Sequence, residues 1–550
     1  MRLKSIIKCL ILLLLFVIFL EGCDNNTKNE TASTSDVKED SHVQALHEDE
    51  PGWKLDTSPV TFDWYVNFSW FETDWGNNVV SDYITDKTGV RVNFITPTGN
   101  ENEKMNTMIA SGSLPDFITI GWWEDGAKKM IDQELVLPLD ELGKEYDPYF
   151  YKVTDDSKLE WYRQEDGHVY GYPNASSSPE DFERYKDLKP SNQTFLVRKD
   201  MYEALGRPDM RTPEGFLDAL KKAKEQFPEV NGKPLIPLGL HEFTPVGNDS
   251  LEDYLQNFLA IPMKEDGKVY DRITDPEYIR WLKTFREVNE MGLLAKDIFI
   301  DKRAQMEEKI AEGRYFAMLY QRSDMAAQQQ ALYAKDPDSV YIAVDGPANS
   351  NLEAPTLPAD GISGWTITLI SKDVKDPERA IRFLSYLISE EGQKDTFLGK
   401  RGVTWETRNG KEQFLPEVLS LLKSDRMTFD QKYGAASTYW MLVDTNKTLE
   451  WAPLPAPPLK QLADWTKGKT VNLSEFEGID PTGTTKEGIA ANKIAEEWGR
   501  TLPMLLLAES EEVFDRLFQS FLQKRESYDF TIVREYRQNS YEENNRKLND

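Results

Sequence analysis

Alternating hydrophobic and polar stretches from residue 60 onward predict a regular succession of strands and helices. Residues 60–66 alternate as a strand does, and 90–95 and 117–120 are further apolar runs of strand length. Between these strands, two segments have apolar residues on one helix face and a glycine at the end. The first face consists of Val79, Val80, Tyr83 and Ile84 and is followed by Gly89; the second consists of Met105, Met108 and Ile109 and is followed by Gly112. The order β-α-β-α-β with short connections predicts a parallel sheet with right-handed crossovers.

The same alternation returns after residue 190 and predicts a second set of strands and helices. Strands are predicted at 194–197, 235–240, 316–319, 341–344 and 366–370. Helices are predicted where a cap or an apolar face occurs, namely after Thr212-Pro213, over 279–288, over 377–388 and over 513–522. A chain of 550 residues exceeds what one hydrophobic core usually serves, so the α/β elements are expected to form two lobes.

The first 22 residues have the pattern of a secretory signal. Arg2, Lys4 and Lys8 form a basic start, and an apolar run follows over 9–20. That run is too short for the roughly 20 residues that a membrane-spanning helix needs. A basic start, a short apolar run and a small residue are typical of an export signal, so residues 1–22 are excluded from the predicted fold.

The end of this run resembles a bacterial lipobox, in which the cysteine after the cleavage site receives a lipid. It reads Leu20-Glu21-Gly22-Cys23, and only Glu21 departs from the small or aliphatic residue usual at its position. We therefore expect lipidation at Cys23; the alternative is an ordinary signal peptide cut elsewhere. Residues 23–56 are acidic and poor in apolar side chains, which predicts a disordered tether. The expected location is the extracellular face of the cell membrane.

Composition excludes several classes of function. The formal charge of −29 repels phosphate, which argues against nucleic acid and against docking on anionic lipid headgroups. The only cysteines are Cys9 and Cys23, so the folded part is expected to contain no disulfide and no cysteine-ligated metal. No nucleotide-binding glycine motif occurs, and no cofactor is predicted.

Seven short motifs occur in order along the chain. They are TGVRV at 88–92, NTMIA at 106–110, SGSLPDFI at 111–118, GRYFAM at 313–318, DPERAIRFL at 376–384, SEEGQ at 389–393 and the Gly402-Val403 pair. In this order, the motifs resemble those of extracellular solute-binding proteins, family 1, and especially of the large LipO-like lipoproteins of Gram-positive bacteria. Some oligosaccharide-binding relatives carry an acidic calcium loop near 226–234. Here that segment lacks the alternating oxygen donors that calcium needs, so no calcium is predicted there.

The resemblance implies a two-lobed periplasmic-binding-protein-like fold of type II. Each lobe would be a mainly parallel sheet flanked by helices, with a hinge between the lobes and closure on the ligand. It also implies a monomer that captures a carbohydrate for the permease subunits of an ABC importer. The expected divisions are lobe 1 at 57–190 with 345–372 returning to it, lobe 2 at 191–344, shared helices at about 375–540, and a polar tail at 541–550.

Candidate ligand contacts follow from the rule that ligands of open α/β sheets lie beyond the carboxyl ends of the strands. A sugar ring stacks on aromatic faces, and its hydroxyls bind carboxylates, amides and arginine. Residues of these types lie in the predicted turns, near the lobe crossing and in one later loop. They are Trp70, Glu72, Trp122, Trp123, Glu124, Tyr172, Asn174, His241, Gln321, Arg322, Trp365 and Trp440.

Other functions remain open from the sequence. A surface-anchored glycoside hydrolase would need two carboxylates about 5–10 Å apart. No local catalytic signature is present, so an enzyme is not predicted. A binding protein for peptide or for a polyanion is a second alternative, and Arg314 and Arg322 would serve the polyanion. A structural lipoprotein with a closed, rigid cleft is a third.

Overall fold

The computed structural model describes residues 47–71, 73–98, 100–436 and 440–549, with the side chain of Trp440 left out. The predicted signal peptide, the lipidation of Cys23 and most of the predicted tether therefore lie outside the described residues, as does Glu72. Within the described residues, no helix is long and apolar enough to cross a membrane.

The described chain contains seventeen strands, most of them short. They are β1 (Val60–Val66), β2 (Val90–Ile95), β3 (Phe117–Gly121), β4 (Gly171–Pro173), β5 (Gln193–Arg198), β6 (Glu229–Val230), β7 (Lys233–Pro234), β8 (Ile236–Gly239), β9 (Lys264–Glu265), β10 (Lys268–Val269), β11 (Tyr315–Gln321), β12 (Tyr341–Ala343), β13 (Leu357–Pro358), β14 (Thr366–Ile370), β15 (Trp405–Arg408), β16 (Lys411–Phe414) and β17 (Thr470–Val471).

Twenty-two α-helices surround these strands in the described chain. They are α1 (Val79–Thr88), α2 (Glu101–Ser111), α3 (Asp125–Asp132), α4 (Leu139–Tyr146), α5 (Tyr149–Val153), α6 (Asp156–Tyr162), α7 (Pro179–Tyr185), α8 (Lys199–Ala204), α9 (Pro213–Gln226), α10 (Leu255–Phe258), α11 (Pro276–Glu290), α12 (Arg303–Ala311), α13 (Ala326–Lys335), α14 (Pro377–Ile388), α15 (Glu390–Phe397), α16 (Pro416–Ser424), α17 (Arg426–Tyr433), α18 (Thr445–Thr448), α19 (Pro457–Trp465), α20 (Lys486–Leu506), α21 (Glu511–Ser527) and α22 (Phe530–Asn549).

The sheet of lobe 1 has the order β2-β1-β3-β14-β4. The pairs β1–β2 and β1–β3 are parallel, as the first β-α-β-α-β prediction requires, whereas β14 is antiparallel to both β3 and β4. Strand β14 returns to this sheet from beyond lobe 2. Because β14 runs against β3, its first residue lies at the same edge as the last residue of β3.

The sheet of lobe 2 has the order β12-β5-β11-β8. The strands β8, β11 and β12 run in the same direction, and only β5, which is antiparallel to both β11 and β12, runs against them. The predicted α/β class with mainly parallel sheets is therefore confirmed, with one opposed strand in each sheet, β14 in lobe 1 and β5 in lobe 2. The reason is topological: strands that arrive from the other lobe enter without a local helical crossover, so the right-handed crossover rule does not constrain their direction.

Each lobe packs around its own hydrophobic core. In lobe 1, Phe62 and Phe117 meet edge to face with ring centroids 5.3 Å apart. In lobe 2, Phe216 and Trp281 do the same at 5.5 Å, and the amphipathic helix α21 adds Phe518 to that core. The two sets of core residues do not overlap, which is the packing expected of two lobes.

Predicted helix caps explain why several helices begin where they do. Thr212 accepts a hydrogen bond from the Gly215 amide at 3.2 Å and Pro213 is the first helical residue, so α9 begins as predicted. Gly89 ends α1 with φ of 74°. A Cβ at Gly89 would lie 2.1 Å from the Thr57 carbonyl oxygen, so that close approach also requires glycine.

Three chain segments run side by side between the lobes. The segment after β4 is joined to the start of β14 by the Asn174 amide, which donates to the Thr366 carbonyl at 3.0 Å. The Ala175 amide donates to the Val443 carbonyl of the third segment at 2.8 Å. Strand β13 of the second segment pairs in parallel with β17 of the third. These segments form the hinge region.

The last helix, α22, extends to Asn549, so residues 541–549 of the predicted polar tail are helical. Tyr541 is buried and stacks on Phe476, and the Lys547 ammonium donates to the Trp161 carbonyl at 3.2 Å. In the same helix, the side-chain oxygen of Gln538 accepts a hydrogen bond from the Val269 amide. A mostly polar sequence is helical here because a few residues on one face dock on both lobes.

Candidate functional site

The carboxyl end of β1 and the start of β14 bring three aromatic rings together. Phe68 and Trp365 are stacked with centroids 4.7 Å apart, and Trp70 lies 5.4 Å from Phe68 and 6.1 Å from Trp365. Trp70 is 50% exposed although it is large and apolar. This arrangement presents an accessible ring on top of a packed pair, which suits stacking against a flat ligand.

The end of β3 supplies a second aromatic pair. Trp122 and Trp123 meet edge to face at 6.2 Å, and Trp123 is 49% exposed. Trp123 lies across the backbone of Gly121, where a Cβ would come within 2.6 Å of its ring. Glycine at that position therefore lets the indole lie flat on the strand end and leaves its other face open.

Glu124 holds this turn in place. Its two carboxylate oxygens accept hydrogen bonds from the Gly121 amide at 2.7 Å and from the Asn67 amide group at 2.5 Å. Burial raises the pKa of Glu124, and repulsion from Glu101 adds to the effect, while the two hydrogen bonds oppose it. The carboxylate thus joins the ends of β1 and β3 and also faces a cavity.

That cavity, here called the tryptophan cavity, has a volume of ≈ 440 Å³. It lies between lobe 1, the 477–482 segment and α22. Its aromatic and acidic lining consists of Trp122, Trp123, Trp161, Tyr162, Tyr170, Tyr536, Glu124, Asp125, Glu477 and Asp480. Only Trp122, Trp123 and Glu124 among these are predicted from the sequence. Asp125 follows Glu124 directly in the turn after β3, whereas the other six follow no strand end and no local sequence signal marks them.

A hinge loop forms part of the cavity wall; three hydrogen bonds hold it at Ser363, and a fourth holds its partner Glu477. The Trp161 indole donates to the Ser363 hydroxyl at 2.9 Å, and the Tyr162 hydroxyl donates to the Ser363 carbonyl at 2.6 Å. The Ser363 amide donates to Glu477 at 2.7 Å, and Asn544 of α22 donates to the Glu477 carbonyl at 2.7 Å. Burial raises the pKa of the Glu477 carboxyl. The wall is therefore built from four separate parts of the chain.

The carboxyl ends of β8 and β11 position His241 and Gln321 in lobe 2. The His241 ring lies 4.3 Å from Tyr320 and meets Tyr254 edge to face at 5.0 Å. Its Nδ1 is 2.8 Å from the Ser250 hydroxyl, and the Tyr254 hydroxyl donates to Gln321 Oε1 at 3.0 Å. Burial lowers the pKa of His241 to about 3, and repulsion from Arg303 adds to the effect, so the ring is neutral at pH 7.

A second cavity of ≈ 310 Å³, here called the lobe 2 cavity, is lined by other residues and includes neither His241 nor Gln321. Glu252, Asp253 and Arg272 line it together with Trp498 of α20, and Asp480 lines both cavities. The two cavities therefore adjoin at Asp480. Burial, with repulsion from Asp253, raises the pKa of Glu252 to about 8.

Two predicted site residues form hydrogen bonds within the hinge. The Asn174 side chain accepts from the Thr366 amide at 2.7 Å and is 1% exposed. The Arg322 guanidinium donates to the Ser191 carbonyl at 2.8 Å and to the Pro190 carbonyl at 3.2 Å. These contacts give both residues a bracing role between the lobes. Their contact with a ligand stays a prediction.

Among the predicted residues that the structure describes, those that do not line the tryptophan cavity are Trp70, Tyr172, Asn174, His241, Gln321, Arg322 and Trp365. Tyr172 is buried and lines a different cavity of ≈ 320 Å³ together with Asp155 and Asp444. Trp440 begins a short 3-10 helix, and its side chain, like Glu72, lies outside what the structure describes. In the 226–234 segment, β6 and β7 form a small antiparallel hairpin.

Two lobes with aromatic strand ends, joined by three crossing segments, define the fold and site of a solute-binding protein. The family model for bacterial extracellular solute-binding proteins matches residues 79–404, and the chain belongs to that family. The resemblance drawn from the sequence motifs is therefore confirmed.

Two curated relatives match parts of the chain. Lipoprotein LipO of Bacillus subtilis is 25% identical over 333 residues, which are 58% of this chain and 62% of LipO. The fructooligosaccharide ABC transporter substrate-binding protein FusA of Streptococcus pneumoniae is 25% identical over 318 residues, 54% of each chain. The matched part thus spans less than two thirds of either relative.

Solved structures share the fold at low sequence identity. The alginate-binding protein AlgQ2 without calcium ion has a TM-score of 0.65 at 18% identity, covering 90% of this chain and 100% of AlgQ2. Streptococcus pneumoniae FusA in complex with kestose also has a TM-score of 0.65, at 16% identity, covering 88% of this chain and 99% of FusA. At this identity, the likeness establishes the two-lobed fold.

Proposed function

We propose that this protein is the oligosaccharide-binding component of an ABC importer and that it binds its ligand without turnover. The observation that carries the proposal is the concentration of six aromatic rings and four carboxylates around the tryptophan cavity. Aromatic faces stack on the C–H face of a pyranose, while carboxylates accept hydrogen bonds from its hydroxyls. The names of FusA and of its kestose complex support a carbohydrate ligand.

Closure of the lobes would signal that the site is filled. A ligand that touches Trp123 of lobe 1 and residues of the adjoining lobe 2 cavity binds the closed form better than the open one, so it shifts the population toward closure. The rings supply selectivity for shape, because water competes for each hydroxyl hydrogen bond. A permease can then distinguish loaded from empty protein by shape.

A thermal-shift screen of neutral and acidic oligosaccharides and of peptides tests the ligand class. A ligand at 100 times its dissociation constant adds about 2.7 kcal/mol of stability, which is readily seen as a rise in Tm. We expect an oligosaccharide to raise Tm in the wild type, with a smaller rise in Trp123→Ala. Met427→Ala is the control, because that side chain is 70% exposed and lines neither cavity. A rise in Tm with peptides alone would contradict the proposal, and release of shortened sugars would indicate an enzyme.

The proposal also places the protein at the outer face of the membrane through a lipid on Cys23. The lipobox-like Leu20-Glu21-Gly22-Cys23 supports it, and the name of LipO is consistent with it. Expression of the full chain and of Cys23→Ala in a Gram-positive host tests this point. We expect the wild type in the membrane fraction, labelled by a palmitate analogue, and the variant unlabelled. An unlabelled wild type would favour an ordinary signal peptide.

A further inference from the structure

We propose that the two adjoining cavities select saccharides without carboxylate groups and reject uronic-acid oligomers. This inference rests on the proposed function and narrows the class of ligand. It is supported by the excess of acidic over basic side chains that line the two cavities. Seven carboxylates and four basic side chains line the two cavities: Glu124, Asp125, Glu252, Asp253, Asp271, Glu477 and Asp480 against Lys128, Arg272, Arg525 and Arg537.

Two of the four basic side chains form ion pairs with carboxylates of the lining itself. Arg525 donates to both carboxylate oxygens of Asp271, at 3.1 and 2.8 Å. Arg537 donates to Asp480 at 2.6 Å. A carboxylate on the ligand would have to displace Asp271 or Asp480 to reach either guanidinium, and would leave that acid without its partner.

The other two basic side chains are also engaged. Lys128 pairs with Asp132 at 3.1 Å on the surface of α3. Arg272 donates to the Asn257 side-chain oxygen at 2.7 Å, and burial lowers the pKa of its guanidinium to about 10. A buried cation that already has a hydrogen-bond acceptor offers less to an incoming anion than an unpaired arginine on an open surface.

Two carboxylates on the lobe 2 side, by contrast, form no ion pair within the described chain. Asp253 lines the lobe 2 cavity, and Asp249 lies one turn before it. Burial raises the pKa of both carboxyls; repulsion from Glu242 adds to the rise at Asp249, and attraction to Arg272 opposes it at Asp253. Negative charge is therefore already unfavourable here, and another carboxylate would add like-charge repulsion. The hydroxyls of an uncharged sugar instead supply the hydrogen-bond donors that carboxylates accept.

The arginines that a polyanion site would need are used elsewhere. Arg314 donates to the Pro234 carbonyl and pairs with Glu312, and Arg322 is bonded to the hinge. The likeness to AlgQ2, whose name refers to alginate, extends to the fold. A similar fold does not imply a ligand of the same charge, because the preference for ligand charge depends on individual side chains at the site.

A matched pair of trisaccharides tests the selection. β-1,4-Mannotriose and β-1,4-trimannuronate have the same ring stereochemistry, but the second carries a carboxylate in place of each C6 hydroxymethyl group. We expect mannotriose to bind at least about tenfold more tightly in calorimetric titrations at low salt.

The double variant Asp253→Asn, Asp480→Asn removes repulsion and frees Arg537. The ratio of the affinity for mannotriose to that for trimannuronate should therefore fall at least threefold, to about 3. Asp82→Asn, an exposed acid of α1, should leave the ratio unchanged. Equal or tighter binding of trimannuronate to the wild type, or an unchanged ratio in the double variant, would overturn the inference.

A measurement without sugar separates this inference from the proposed function. The fluorescence of Trp123 is obtained as the part of the protein's emission that is lost in Trp123→Phe. Quenching of that emission by caesium and by iodide reports the local charge around Trp123. We expect caesium to quench that component more strongly, and the preference to shrink in the Asp253→Asn, Asp480→Asn variant but not in Asp82→Asn. Equal quenching by iodide would overturn the charge argument. Failure of both trisaccharides and of the wider screen to bind, with caesium still preferred, would count against the carbohydrate function alone.

Discussion

The two lobes present different chemistry at the hinge-facing ends of their sheets. Lobe 1 offers exposed rings, since Trp70 and Trp123 are 50% and 49% exposed on top of packed neighbours. Lobe 2 offers a packed group, in which His241 is held by Tyr320, Tyr254 and Ser250. Under the proposed function, lobe 1 would supply the stacking surface, and lobe 2 would supply hydrogen-bonding groups that are already ordered.

This division has a physical basis in the preceding strands. Glycine at the end of β3 allows Trp123 to lie flat across the backbone with one face open. In lobe 2, the π-helical turn Ser250–Tyr254 folds back on β11, where the Ser250 hydroxyl donates to the Leu319 carbonyl at 2.6 Å. Side chains fixed in this way lose little conformational entropy on binding.

Substitutions of the two hinge residues Asn174 and Arg322 are expected to have the largest effect on stability. They also compare a residue of lobe 1 with a residue of lobe 2. Asn174 braces from lobe 1 and Arg322 from lobe 2, and both are bonded to crossing segments. Asn174→Leu leaves the buried Thr366 amide without its side-chain acceptor, so we expect a loss of about 2–3 kcal/mol in chemical denaturation. Arg322→Leu should cost a similar amount. Normal stability with lost ligand binding would instead assign these residues to the ligand site.

Removal of an exposed ring should weaken binding more than removal of a lobe 2 amide. We expect Trp123→Ala to lower affinity for the screened oligosaccharide by about 10- to 100-fold, since ring contacts supply most of the selective energy. Gln321→Ala should lower it by less than about fivefold, because its side-chain oxygen is already bonded to Tyr254. Titration calorimetry measures both. The reverse order would break the division between stacking and hydrogen-bonding lobes.

Glu252 should destabilise lobe 2 at neutral pH. Because its pKa is raised to about 8 in the folded protein, the folded state holds its proton more tightly than the unfolded state, and stability falls as pH rises from about 4.5 toward 8. We expect Glu252→Gln to stabilise the protein by about 1–2 kcal/mol at pH 7.5 and by little at pH 4.5. Glu308→Gln, an exposed acid of α12, is the control. Equal melting shifts at both pH values would contradict this account.

The contribution of His241 to stability should change with pH in the opposite direction to that of Glu252, and it should be the smallest of the predicted effects. Its pKa is lowered to about 3, so below the unfolded value of about 6.5 the unfolded state binds the proton first and stability is lost as pH falls. Between pH 7 and pH 5, we expect this residue to account for about 1 kcal/mol of lost stability. His241→Gln should melt with a correspondingly flatter dependence on pH over that range. A slope equal to that of the wild type would show that the ring is not buried in its neutral form.

Local sequence patterns determined much of this protein. Periodicity and caps located β1, β2, β3, α1, α2 and the start of α9, because a strand or helix is set by neighbours a few residues apart. Ordered motifs identified the family. The strand-end rule led to Trp70, Trp122, Trp123 and Glu124 in lobe 1 and to His241 and Gln321 in lobe 2, and the structure brings Trp122, Trp123 and Glu124 to one cavity. That these residues contact a ligand stays a prediction.

Tertiary structure alone decided the remainder. The opposed directions of β14 and β5 arise because the chain enters each of these strands from the other lobe. Helix α22 is docked because Tyr541 and Lys547 contact residues far away in the sequence. Trp161, Tyr536 and Glu477 reach the tryptophan cavity from three distant segments. No local pattern encodes such convergence, since it arises from packing between elements that lie far apart in the sequence.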